Sequence, residues 1–292
     1  MPLDSSIVGT AGDSLISEID ARWTMAYAAG LGDVLPCYVN TLAPAGIVAH
    51  PMFPVCFEWA AIIAMREVFD RSGLTPEEAR RGVHASHDLI VHRAIRPPER
   101  LHTLATFAGI EQRKPGAYQV TKLETVDQAG APVCTSWYGA IYREVAIKGP
   151  DRFVEKPPQT PVSRTLPARP RAEIAIPVSA GLAHIYTECA RIFNPIHTDA
   201  AVAHSAGLPS IILHGTATHA LAVSQIIAAE AKGEPRRVRR IGGRFGAMVP
   251  MPSEIRLRIH AREDADDATH IFFDVLNAEG GPAIRDGFVS LS

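Results

Sequence analysis

The feature that most constrains this chain is a proline-rich interruption near its middle. Residues Glu144–Arg171 read EVAIKGPDRFVEKPPQTPVSRTLPARPR, with six prolines, many charges and almost no apolar periodicity. Proline removes a backbone donor and blocks helix, so the segment is expected to be an extended, exposed linker. It divides the 292 residues into two comparable parts, 13–143 and 172–292. Each is of the size at which a single core is stable.

The two parts share one pattern. In the first, Asp20 precedes an apolar helical stretch through Trp23 and Tyr27. A loop with Pro44, Gly46, Pro51 and Pro54 follows, then VCFEWAAIIAMREVF over Val55–Phe69, which reads as a buried helix. Runs at Leu89–Ile95, Leu101–Gln112, Tyr118–Val126 and Val133–Tyr142 are bounded by turn residues and read as strands. In the second, a helix is expected over Ala180–Phe193, then a loop and a helix over Thr216–Ala231. Strands follow at Arg237–Phe245, Glu254–Ala261, His270–Leu276 and Ile284–Leu291. Helix first and antiparallel meander after, twice over, defines an α+β chain with a long helix packed on each curved sheet. Pairing the edges of the two sheets would hide both.

Composition narrows the function. The chain is 47% hydrophobic and 21% charged, with net charge −2 and no long basic run, so no nucleic-acid surface is expected. Cys37, Cys56, Cys134 and Cys189 form no CxxC pair, which argues for reduced thiols in a cytoplasmic protein rather than a metal site. Met1–Ala11 lacks a signal-peptide pattern, and the apolar run Ala217–Ala229 is too short to span a membrane, so no membrane association is expected.

The chemistry concentrates between Tyr186 and Thr218, in Asn194-Pro195-Ile196-His197-Thr198-Asp199 and Leu213-His214-Gly215-Thr216. A histidine held by an Asn-Pro turn suits proton transfer near neutral pH. Gly215 opens a helix, so its N–H lacks a helical partner and suits an oxyanion, with no side chain to obstruct the ligand. Taken one at a time these residues have blander explanations: a structural histidine, a common turn, and Asp199 as the cap of a helix over Ala200–Ala206.

The string N-P-x-H-x-D, with Pro209 five residues before His214-Gly215 and an apolar helix beyond, resembles the MaoC-like dehydratase family, which includes the (R)-specific enoyl-CoA hydratases. The resemblance extends to Arg22–Asp33, to Ala49-His50-Pro51-Met52-Phe53-Pro54, to Val83-His84 through Pro97, and to Gly243-Arg244-Phe245 through Pro250. It implies a double hotdog fold: a non-catalytic first unit that accommodates the acyl chain, and a second unit that carries the site. It also implies a lyase acting on 2-enoyl-CoA or 3-hydroxyacyl-CoA thioesters in fatty acid metabolism, with no cofactor and possible homodimerisation. His197 would be the acid/base, Asn194 would fix its loop, and Gly215, His214 and Tyr186 would bind the thioester. One departure matters. The family's catalytic Asp falls two residues before the Asn, where this chain has Ile192. If the preceding segment is helical, Glu188 lies one turn back and is the candidate substitute, while Arg191 could bind a carboxylate or simply face solvent. Acyl-CoA thioesterase activity, or a non-catalytic acyl-CoA-binding role, remain the alternatives.

Overall fold

The computed structural model describes residues 2–65, 73–165, 167–265 and 267–292. Helices α1 (Ala21–Gly30), α2 (Pro36–Val39), α3 (Pro54–Ala64) and α4 (Pro76–Ala79) lie in the first half; α5 (Leu182–Ala190), α6 (Ala200–Ser205) and α7 (Gly215–Glu230) lie in the second. The strands are β1 (Leu3–Asp4), β2 (Leu15–Ile19), β3 (Gly82–Val91), β4 (Glu99–Arg113), β5 (Gly116–Asp127), β6 (Pro132–Arg143), β7 (Ile147–Lys148), β8 (Arg152–Phe153), β9 (Ala172–Val178), β10 (Val238–Phe245), β11 (Ser253–Asp264), β12 (Thr269–Leu276) and β13 (Pro282–Leu291).

One antiparallel sheet crosses the molecule in the order β2-β4-β5-β6-β3-β10-β13-β12-β11-β9, with β8 added beside β4. The order is the same read outward in either direction from β3–β10, the strands that join the halves. This is the expected double hotdog: α3 and α7 each lie against the concave face of their own half-sheet. From Ala217 to Ser224 every residue of α7 is buried, which marks a helix enclosed on all sides there. Its Ala220, Val223, Ile226 and Ile227 are fully buried. Each of the three larger ones contributes about 1.5–3 kcal/mol of apolar burial.

The seam pairs Arg240–Arg244 with Ser86–Ile90. Across it, Arg240 Nε and Nη2 donate to Asp88 Oδ1 and Oδ2 at 2.8 and 2.6 Å. The same guanidinium donates to the Pro158 and Gln159 carbonyls at 3.0 Å. The central segment is therefore docked rather than free: β7 pairs with β1, and β8 pairs with β4.

Three local expectations are corrected. Each half opens with an edge strand, β2 or β9, which alternates buried and exposed residues and so carries only a weak apolar signal. β3 begins at Gly82, well before Leu89, because its histidines and Ser86 look unlike a strand core. The helix expected over Val55–Phe69 is α3, which gives way at Met65; residues 66–69 of that expectation lie outside the described residues. Among the described residues, no helix is long and apolar enough to cross a membrane.

Candidate active site

α5 is set by packing against α1. Trp23 Nε1 donates to the Cys189 carbonyl at 3.0 Å, and the Arg191 guanidinium lies 3.8 Å from the Trp23 ring centroid. A Cβ on Gly30 would come within 3.0 Å of Cys189 Sγ, so the close helix crossing depends on that glycine. α5 turns Ala183, Tyr186, Thr187 and Ala190 inward. It ends at Ala190 because Arg191 takes a left-handed φ of 57°.

That ending corrects the Glu188 expectation. The helical i to i+4 relation does not reach Ile192, and Glu188 is exposed while Ile192 is buried in the core. The structure does not bring Glu188 to His197. Arg191 stacks on Trp23 and is exposed, as a solvent-facing arginine would be.

Beyond Arg191 the chain forms a short 3-10 turn, Pro195–His197. Asn194 stabilises this turn through its carbonyl, which accepts from His197 N at 3.2 Å; its side chain makes no capping bond. Asp199 caps α6, accepting from Ala201 N and Val202 N at 2.8 and 3.2 Å. His197 is buried, and its Nδ1 lies 2.9 Å from the Ile212 carbonyl. A carbonyl only accepts, so Nδ1 carries the proton and Nε2 keeps its lone pair.

His197 stacks on His214, with ring centroids 3.7 Å apart and planes 25° from parallel. His214 Nε2 is 3.2 Å from Thr187 Oγ1, while its Nδ1 is buried without a partner. Tyr186 lies beside this pair, 5.0 Å from the His214 centroid, and its hydroxyl donates to Thr216 Oγ1 at 3.1 Å. Gly215 is the first residue of α7, so its N–H has no intrahelical acceptor. A Cβ there would sit 3.0 Å from the Phe245 ring, a contact that glycine avoids. His197, His214, Gly215 and Tyr186 thus converge on one helix N-terminus.

Burial lowers His197 to about 4. Burial, reinforced by repulsion from His197, lowers His214 to about 2. Both rings are uncharged at neutral pH. Thr187, the Ile212 carbonyl and Phe245 are not legible as supports along the chain, since each arrives from a different element. A small pocket lies elsewhere, lined by His50, Pro54 and Arg93 of the first half and Arg236 of the second. His197, His214 and Gly215 do not line it, and the convergence of polar groups is the better guide to chemistry.

The fold is that of the double hotdog proteins. Residues 162–278 match the family described as MaoC like domain, and residues 6–136 match the family described as FAS1-like, dehydratase domain region. The chain thus carries a MaoC-like domain over much of its second half and a FAS1-like dehydratase region over much of its first. Over 53 residues it is 45% identical to peroxisomal enoyl-CoA hydratase 2 of Arabidopsis thaliana, a match spanning 18% of this chain and 17% of the plant protein. It is 23% identical to 3-hydroxyacyl-thioester dehydratase Y of Mycobacterium tuberculosis over 84% of this chain and 83% of that one. The crystal structure of a MaoC-like dehydratase from Phytophthora capsici superposes with a TM-score of 0.81 at 17% identity, covering 98% of this chain and 97% of the other.

Proposed function

We propose that the protein is a hydratase/dehydratase interconverting a 2-enoyl-CoA and a 3-hydroxyacyl-CoA thioester. The observation that carries this reading is the His197–His214 stack at the N-terminus of α7, with His197 Nε2 unprotonated. The thioester carbonyl would accept from Gly215 N–H. Negative charge grows on that oxygen as water adds, and the helix N-terminus is arranged to stabilise it.

His197 Nε2 takes a proton from water as the water oxygen bonds to C3. The imidazolium returns the proton to C2 as the enolate collapses, and every atom of water ends on the product. An imidazole lowered to about 4 is always ready to accept, but its charged form is costly in this buried place. The proton is therefore passed on within the same event rather than stored. His214 and Tyr186 position the water and the first turn of α7, and Asn194 holds the His197 loop. Two hotdog units in one chain could also dimerise; size-exclusion chromatography with light scattering tests that.

A second reading, thioester binding without turnover, is favoured by Ile192 standing where the family has Asp and by the outward direction of Glu188. Incubation with crotonyl-CoA decides between them. The hydratase reading expects loss of enoyl absorbance, abolished in His197→Ala. Saturable binding with no absorbance change would leave only the second reading.

A further inference from the structure

A second group of histidines lies one helical turn deeper than the candidate active site. His84 and His87 come from β3 in the first half, and His219 comes from α7 in the second. A bulge between His84 and Ser86 shifts the alternation, so His84 and His87 face the same side of the sheet. Their rings lie edge to face with centroids 5.5 Å apart. His219 sits over Gly243, the residue directly opposite His87 across the seam; a Cβ on Gly243 would come within 3.4 Å of the His219 ring. Phe245 touches both sides of this group, 4.5 Å from the His84 centroid and 5.9 Å from that of His219.

The hydrogen bonding is incomplete. His84 Nε2 and both ring nitrogens of His87 and of His219 are buried without a partner. His87 is 3% exposed and His219 is fully buried. Five unpaired ring nitrogens in one place are costly, because each forgoes the hydrogen bond that water would supply in the unfolded chain. Packing alone does not call for them, since Leu or Phe would fill this space without that cost. Burial lowers His87 to about 4 and His219 to about 3, so the rings are neutral. A neutral imidazole offers one donor and one acceptor, a set suited to an uncharged polar group. A carboxylate would be buried here without a cation. Among the described residues, no three His, Cys, Asp or Glu are arranged to hold a metal ion.

We infer that His84, His87 and His219 recognise an uncharged oxygen, a hydroxyl or a carbonyl, on the acyl chain of the thioester. The inference rests on the hydratase reading and deepens it. His219 follows Gly215 by four residues on α7, an axial distance of about 6 Å. A chain whose carbonyl is held at Gly215 N–H reaches the cluster after a few carbons. Phe245 packs against both Gly215 and the histidines and lies between the two places, so its ring would have to swing aside for a chain to pass.

The test compares 2-hexenoyl-CoA with its 6-hydroxy counterpart in the wild-type protein and in His87→Leu and His219→Leu. The wild type should favour the hydroxylated substrate by about tenfold in kcat/KM, the scale of one or two neutral hydrogen bonds. In either leucine variant that preference should fall to unity or reverse. Equal turnover of the two substrates by the wild type would overturn the inference, and this arm needs no variant to fold. A preference that survives both substitutions would overturn it too. Turnover of neither substrate would count against the hydratase reading. The ratio of the two dissociation constants, measured by calorimetry, would then decide the recognition site separately.

Discussion

The two halves have the same topology but opposite helix starts. In the second half α7 runs for 16 residues and begins at His214-Gly215, where a free N–H meets two stacked imidazoles. In the first half α3 has 11 residues and begins at Phe53-Pro54. Proline has no N–H to offer, and Phe53 is fully buried against Trp23 and Tyr27 at 5.1 and 5.6 Å. Aromatic side chains plug one helix start, and glycine leaves the other open. The lesson is that the fold supplies two equivalent positions, and the residues at each helix N-terminus make them chemically different.

Acid should be the harshest probe of both halves at once. Burial lowers His50 and His219 to about 3, His87 and His197 to about 4 and His214 to about 2. A depressed histidine contributes stability that is full above the unfolded pKa near 6.5 and declines as pH falls toward the folded value. Each can cost up to about 1.4 kcal/mol per pH unit in that window. Glu58, in the first half only, has the opposite sign: burial raises it to about 7, so its contribution is lost as pH rises from about 4.5 through 7. Five histidines outweigh one carboxyl. Urea midpoints should drop steeply between pH 6.5 and 5, and a flat profile would show that the rings are solvated.

The seam is the next lever. Arg240→Ala leaves Asp88 buried without its partner and should cost about 3–5 kcal/mol in urea unfolding. It also frees the Pro158–Gln159 segment, which proteolysis would report. A change within 1 kcal/mol (roughly the worth of an exposed pair) would mean that the halves join mainly through backbone pairing.

His197→Ala should lower kcat/KM on an enoyl-CoA by about 100-fold or more, about 2.7 kcal/mol, with the fold intact. The contrast is His50→Ala. His50 lies just ahead of α3 as His197 and His214 lie ahead of α7, and its Nε2 sits 3.1 Å from Ser224 Oγ. That variant should lose stability yet turn over within about threefold of wild type per folded molecule, since a group remote from the reacting atoms supplies no proton. Equal losses in the two variants would break the distinction between the halves. The smallest effect belongs to Glu188→Gln, expected within about twofold in steady-state rate because the side chain faces solvent; a loss near the 100-fold scale of an acid/base group would return Glu188 to the site.

Much of this was readable along the chain. Alternation and helical periodicity located the long helices and eight of the strands, and the Asn194–Asp199 and Leu213–Thr216 strings located the site, because such patterns are properties of neighbouring residues. The edge strands are hard to read because Ser17 interrupts the apolar inner face of β2 and Ile16 stands on its exposed face, while β9 is short and carries Ala at both inner and outer positions. Glu188 does not share a face with Ile192 because helical phase ends at Ala190, where Arg191 breaks it.

By itself, then, the sequence determined two α+β units, a docked histidine loop and a glycine at the start of an apolar helix. Only the tertiary structure decided that His197 stacks on His214, that the Ile212 carbonyl fixes the His197 tautomer while Thr187 orients His214, and that His84 and His87 meet His219 across the seam. The reason is separation. His87 and His219 lie 132 residues apart in sequence, and no local preference records their approach; it exists only because β3 and β10 pair and carry the two sheets onto one face.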